Sequence, residues 1–479
     1  MTARIERPKW ILYRHTRDFD KLCNFAEILR SYSKTTITKG EKERLNLRLR
    51  ELNLYNERNP ELPLDALNHK INQLAFYMFG YKSGNRFLFS PLGNLLLKHL
   101  NDKEKVSKIF TAMLWALQFP HPHSGTNKKV FRLYPFRLIF RLLRDPRLQY
   151  KLYAYEVISC IVFTEKSDNN NYERLVENIL QLRDLSDKEL EIMFKKDRHV
   201  YVNAAYEWDY YVSELITSAG VFEKQQGSVI CQLIQGTGKT TRKITRNQVT
   251  LSKTIIQLVD NLESLFPYDM QPLSLESKDS LNEDVVKEIY NFYPKVLIDD
   301  IGEDLETQRL LELPKLIETY SNNPDNETAY LFEEVLVEGF NLFYNVEAKL
   351  FSGSGHTDIE CLYLSKKKKF AVESKSTANK LIGINVGRLR EHREEIGGDY
   401  TIVVTSRYVP AAKRDIYNTP NVIILASTFA EYLYNCISHN IREVDYKEFD
   451  EIITSHLGDD VSRYISDLTI SKFSIIGKE

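Results

Sequence analysis

The chain has 479 residues, 43% of them hydrophobic and 27% charged, with a formal net charge of −1. That length exceeds what one hydrophobic core serves and predicts two to four domains of ordinary globular composition. No apolar run approaches the ~20 residues that span a bilayer, and no apolar signal segment opens the chain, so a membrane protein is excluded as an expectation. Five cysteines (Cys23, Cys160, Cys231, Cys361, Cys436) are scattered, with neither metal-ligand spacing nor a disulfide pattern, which points to a reducing cytoplasm.

The near-neutral total hides an asymmetry. Residues 1–150 carry 28 Lys/Arg against 13 Asp/Glu, and the remainder 37 against 53. A surplus of this size predicts that the first part meets a polyanion, of which double-stranded DNA is the obvious case. In residues 1–50, Arg4, Arg7, Lys9, Arg14 and Arg17 flank Trp10 and Tyr13, an arm suited to following phosphates. Leu64, Leu67, Ile71, Leu74 and Met78 then recur at helical spacing. The other face of that helix offers Asn68, His69, Lys70, Asn72 and Gln73, side chains able to hydrogen-bond base edges. Lys82 through Asn85 reads as a turn, Arg86–Phe89 as a strand, and Ser90-Pro91 as the N-cap and first residue of a further helix. Helix, hairpin and helix in this order predict a winged helix-turn-helix, with Arg7, Lys9, Arg14, His69, Lys70, Asn72, Gln73, Lys82 and Arg86 as candidate DNA contacts.

A second unit of the same kind is expected over 204–251. A helix over 204–218 precedes Val221-Phe222, a Gln226-Gly227 turn, a strand over 229–234 and a basic stretch over 241–246. Gly236-Thr237-Gly238-Lys239-Thr240 invites comparison with a P-loop. The phosphate cradle needs a glycine five residues before the Gly-Lys pair, and that position is Leu233. The segment reads instead as a loop between strands. Residues 256–325 are acidic and helical in pattern, and the polar run 321–326 marks a domain boundary. The expected organisation is a first recognition subdomain over 1–165, a second over 166–255, a helical docking region over 256–325 and a catalytic domain over 326–479.

The chemistry concentrates in that last part. A helix is expected over 327–341, with Phe332, Val335, Leu336 and Phe340 toward the core and Glu333 or Glu334 available as a carboxylate. A strand over 345–351 leads into the glycine-rich 352–355 and then Asp358. Fifteen residues later Glu373-Ser374-Lys375 closes the next strand. Alternate strand residues face one side, so Glu373 and Lys375 point together toward whatever Asp358 faces. Two acids suit a hard divalent cation, Mg²⁺, and an ammonium beside them can orient a water; this is equipment for phosphodiester hydrolysis. Lys366–Lys369 reads as the tip joining the two strands, 381–396 as a helix carrying Arg388, Arg390, His392 and Arg393, and 400–405 as a buried strand.

On these residues the C-terminal third resembles a PD-(D/E)XK nuclease, and in particular the cleavage domain of FokI-type restriction enzymes. The N-terminal part, through Trp10, Phe19, Leu22, the unit over 64–93 and Tyr134-Pro135-Phe136-Arg137, is similar to the recognition subdomains of FokI and of AlwI-like type IIS enzymes. The resemblance implies mainly helical winged-helix-type recognition domains followed by an α/β domain with a mixed central sheet flanked by helices. It implies Asp358, Glu373 and Lys375 as a catalytic trio, Asp358 and Glu373 as Mg²⁺ ligands, Glu333 as the helix carboxylate, and pairing of nuclease domains or a partner subunit for double-strand cleavage. Three departures stand out. Glu373 takes the place of an aspartate, Thr357 that of the usual proline, and the acidic 256–320 region that of FokI's third recognition subdomain. The expected function is that of a type IIS-like restriction endonuclease. A nicking enzyme, the large subunit of a heterodimeric one, and a regulator that keeps the nuclease fold without activity are the alternatives.

Overall fold

The computed structural model of the chain describes residues 7–31, 39–52, 65–83, 86–234, 241–275, 282–302, 305–323, 327–351, 356–439, 441 and 443–473. The described residues fall into two units, one reaching from the N-terminal side to Leu275 and including Phe292–Ile301, the other comprising 282–291 and 302–473. The P-loop-like segment, the glycine-rich 352–355 and part of the boundary at 321–326 lie outside the described residues.

The first unit is helical with short antiparallel strands. Helix Asp65–Phe76 buries Leu67, Ile71 and Leu74, as its three-four spacing requires. Met78, with φ 68°, has already left it. The strands Gly80–Ser83 and Arg86–Phe89 pair antiparallel. Ser90 then caps helix Pro91–Lys98: its Oγ accepts from Gly93 N at 2.9 Å and donates to Met78 O at 2.6 Å. Gly93 is required here by close approach, because a Cβ on it would lie 2.0 Å from the carbonyl oxygen of Phe79. Helix, hairpin and capped helix are therefore welded at one point by a hydroxyl and a bare backbone.

In the second half of this unit the expected helix over 204–218 is instead three segments. An α-helix spans Arg198–Ala205, a π-helix Tyr206–Val212, and an α-helix resumes over Ser213–Ser218. The wider turn has a visible cause. The Asp209 carboxylate accepts from Thr245 Oγ1 at 2.9 Å and from Asn247 Nδ2 at 3.0 Å, and Lys224 lies 3.0 Å away. Trp208 and Val212 are meanwhile buried, so the widened turn serves both demands. Strand Gln248–Leu251 pairs antiparallel with Leu152–Tyr153 and Phe222–Gln225, and Val229–Ile234 forms a hairpin with Thr241–Thr245. Helix Ile256–Leu265, from the region expected to dock between domains, belongs to this unit, whereas Asn282–Tyr290 and Leu305–Asn322 belong to the other.

The second unit is an α/β domain built on a five-stranded mixed sheet. Its strands are β1 (Val346–Leu350), β2 (Ile359–Tyr363), β3 (Lys368–Lys375), β4 (Thr401–Thr405) and β5 (Asn421–Leu425), in the order β5-β4-β3-β2-β1. β2 runs antiparallel to both of its neighbours, β1 and β3, while β3, β4 and β5 are parallel. Every residue of β4 and β5 is buried, as befits parallel strands covered on both faces. Helix α1 (Ala329–Asn341) buries Phe332, Val335, Leu336 and Phe340. The Phe340 ring meets Phe370 on β3 and Phe429 on helix α3 (Ala426–Ser438), with centroids 5.9 and 4.8 Å away.

The lysine-rich run is the β2–β3 turn and the start of β3, and three of its four ammonium groups are paired. Lys366 is 2.6 Å from Asp450, Lys369 2.6 Å from Glu360 and Lys368 3.7 Å from Asp399. The helix expected over 381–396 is shorter, α2 (Val386–Ile396). Asn385 caps it by accepting from Arg388 N at 3.1 Å, while Leu381 is held extended by backbone bonds to Arg407 and Val409.

Candidate active site

β3 places Glu373 and Lys375 on one side, where Lys375 Nζ donates to Glu373 Oε2 at 2.8 Å. The antiparallel ladder between β2 and β3 ends on the pair Ile359–Val372. Asp358, one residue before β2, is therefore positioned across from Glu373. Its Oδ2 accepts from the backbone N of Ser374 at 2.7 Å and from Ser374 Oγ at 3.0 Å. No donor to its Oδ1 is found among the described residues. Glu373 is fully buried, whereas Asp358 and Lys375 keep partial access to solvent. Thr357, at the position before the first acid, is also buried and directs its hydroxyl to Val372 O at 3.4 Å.

Electrostatics tie α1 to this pair of strands. Burial pushes the Glu333 carboxyl up to about 7, helped by the charges of Asp358 and Glu373 and opposed by Lys375. The Asp358 carboxyl is raised by burial and then by Glu373, against Lys375 and the two Ser374 donors. Glu334, the other carboxylate at this point of the helix, instead engages Tyr330. Glu333, Asp358, Glu373 and Lys375 thus share one field, with three acids facing one ammonium.

Among the described residues, no group of three or more His, Cys, Asp or Glu is gathered closely enough to hold a metal by itself. Mg²⁺ in general keeps several waters and is bound through one or two carboxylates together with substrate phosphates. Mutually repelling carboxylates, and an Asp358 oxygen to which no described residue donates, form a donor set that would fit such a cation.

A pH dependence follows, and its sign can be stated. Glu333 titrates near 4.5 in an unfolded chain and near 7 when folded. Its contribution to stability is thus fully present below the lower value and is lost as pH rises through the upper one. A divalent cation offsets the charge that then develops. The increase in Tm produced by Mg²⁺ should therefore grow with pH between about 4.5 and about 7. Thermal unfolding with and without Mg²⁺ checks this; an increment that stays level or shrinks with pH would mean that these carboxylates do not face the cation.

The candidate DNA contacts of the first unit are arranged less openly than their sequence suggests. Arg7 lies 4.4 Å over the Phe163 ring. Lys9 Nζ is 2.5 Å from Glu207 Oε2, and Arg14 sits 3.6 Å from the same carboxylate and 5.3 Å over Tyr206. His69 is exposed, with Nδ1 2.9 Å from Tyr13 Oη, and Lys82 Nζ donates to Asn72 Oδ1 at 3.2 Å. The Arg86 side chain lies outside the described residues. Two residues depart from expectation. Gln73 is fully buried and exchanges hydrogen bonds with the backbone of Thr16, at 3.0 and 2.8 Å. Lys70 is buried over Phe25, and burial lowers its pKa to about 8, with help from Lys21. Their side of the helix is roofed by the N-terminal segment and helix Phe19–Ser31, so neither reaches a base in this arrangement.

The sequence places His392 on a helix without indicating a role for it. Its Nδ1 stands 2.5 Å from Glu373 Oε1. The i, i+4 spacing of Arg388 and His392 was the available signal.

A family model described as Type II restriction endonuclease HgaI, N-terminal domain, matches residues 5–266. The Type II restriction enzyme HgaI of Avibacterium volantium is 44% identical over 477 residues, covering 97% of either chain. Among solved structures, the chain is similar to the BpuJ1 endonuclease binding domain, crystallised with pyrene- and phenanthrene-modified DNA (TM-score 0.40, 15% identity, 60% of this chain and 95% of that one). It is also similar to the restriction endonuclease FokI (TM-score 0.28, 10% identity, 93% and 98%). Likeness at these scores adds nothing to the argument. The relationship to HgaI along nearly the whole length defines the class: this is a type II restriction endonuclease, a site-specific deoxyribonuclease. Within that class the chain belongs to the HgaI family. Among the described residues no helix is long and apolar enough to cross a membrane.

Proposed function

We propose that the chain works as a type IIS enzyme, recognising an asymmetric duplex sequence with its first unit and cutting at a fixed offset with its second. In this reading 1–165 and 166–255 hold winged-helix-type modules, and 256–325 connects them to a PD-(D/E)XK domain over 326–479. The observation that carries it is the placement of Asp358 across the β2–β3 ladder from Glu373, with Lys375 bonded to the same carboxylate.

Asp358 and Glu373 would hold Mg²⁺, with Glu333 as a third carboxylate from α1. When bound, Mg²⁺ polarises the scissile phosphate, makes water more acidic and neutralises the leaving oxygen. Ser374 fixes Asp358 through two hydrogen bonds to one oxygen, which leaves the other available to a cation. Lys375, bonded to Glu373 Oε2 and partly open to solvent, would orient the water for in-line attack. One such centre cuts one strand, so a double-strand break needs a second copy or a partner subunit. In the first unit, Arg14, His69, Asn72, Lys82 and Arg86 supply phosphate and base-edge contacts, while Arg7 and Lys9 hold the arm in place.

Sequencing the ends of DNA cleaved with Mg²⁺ tests the reading. Ends at a constant distance to one side of a single asymmetric sequence are expected. Cuts inside the recognised sequence, or scattered ends, would overturn the proposal.

A further inference from the structure

Glu373 is held at both oxygens. Lys375 serves Oε2 from the strand, and His392 serves Oε1 from helix α2. His392 is itself buried, and its second ring nitrogen, Nε2, faces Arg388 Nε at 3.3 Å. A guanidinium only donates. Nε2 must then accept, which leaves the ring proton on Nδ1, directed at the carboxylate. The order is a relay of donors: Arg388 to His392, His392 to Glu373. Each carboxylate oxygen still has a lone pair beyond the one so occupied.

We propose that His392, oriented by Arg388, is a positioning residue that sets the plane of the Glu373 carboxylate for a divalent cation. The proposal rests on the reading of Glu373 as a metal ligand. Its physical content is preorganisation. A carboxylate with one long side chain and three free torsions must otherwise be ordered when the ion arrives, and a neutral donor behind it orders it without placing a positive charge beside the ion. Lys375 alone leaves the carboxylate free to turn about its one hydrogen bond from the ammonium.

The test uses the full chain without DNA, and Mn²⁺ as probe, with free Mn²⁺ measured by electron paramagnetic resonance. His392→Ala should weaken Mn²⁺ binding about 10- to 100-fold, as is usual when a partner of a metal ligand is removed. His392→Asn, whose amide N–H₂ can stand where Nδ1–H stood, should recover most of that loss. Arg388 is exposed, so Arg388→Ala should fold normally and weaken binding in the same direction by a smaller factor. In cleavage assays the His392→Ala deficit should appear as a higher Mg²⁺ requirement and fade at saturating metal. Unchanged Mn²⁺ affinity in His392→Ala, or equal losses in the Ala and Asn variants, would overturn the positioning role. Should His392→Ala fail to fold, unchanged affinity in Arg388→Ala would do so. Glu373→Ala separates the two levels. If it binds Mn²⁺ like the parent, the ligand reading itself is wrong; if it alone loses binding, only the role of His392 falls.

Discussion

Replacing Asp358 with alanine should abolish Mg²⁺-dependent cleavage while leaving DNA binding within a few-fold of the parent. The substitution removes one of the two carboxylates that face each other across β2 and β3, and leaves Ser374 N and Oγ without their shared acceptor. What remains is a buried Glu373 already engaged by Lys375 and His392. If these acids hold the ion as proposed, several kcal/mol of charge stabilisation at the reacting phosphate depends on them, so a loss of about a thousandfold or more is expected. Lys375→Ala should act in the same direction through the water it orients. It also leaves Glu373 Oε2 without its donor, so its effect includes a disturbed carboxylate. Conversion of supercoiled plasmid to open or linear forms measures both. Cleavage near the parental rate in either variant would remove the site assignment, whatever the relationship to HgaI.

The second large effect concerns salt. Binding of cognate duplex by the Asp358→Ala chain, followed by fluorescence anisotropy, should weaken steeply as salt rises. The 28 basic residues against 13 acidic ones in residues 1–150 are the reason. A protein that meets six to ten phosphates loses about 10³- to 10⁵-fold in affinity between about 50 and 200 mM salt. The first unit also indicates why the slope should fall short of the raw charge count. Arg137 is buried with its Nε on Trp115 O, Arg144 is paired with Asp260, and Arg147 is shared by Asp145 and Glu173. These are structural cations. An affinity indifferent to salt would mean that the basic surplus is spent entirely within the fold and that recognition lies elsewhere.

Local patterns carried much of this protein's organisation. The three-four spacing of Leu67, Ile71 and Leu74, the Ser90-Pro91 helix start, the apolar face of α1 and the common side of Glu373 and Lys375 all follow from periods of 3.6 and 2, which short segments contain in full. The same periods put Glu373 and Lys375 on one side of a strand, which makes the acid–acid–lysine set legible as chemistry in the sequence. Other features belong to packing between segments far apart in the chain. Gln73 and Lys70 look solvent-facing on a helical wheel, yet the segment around Thr16 and helix Phe19–Ser31 cover them. Asp209 sits on the widened turn where Lys224 and Thr245 meet it from strands and Asn247 from the connection between two strands. The choice between Glu333 and Glu334 depends on which one the neighbouring strands face. His392 reaches Glu373 across 19 residues only because α2 lies beside β3. Periodicity says which way a side chain points from its own element; which partner waits there is decided by the docking of elements, a matter of tertiary contact that no local spacing encodes.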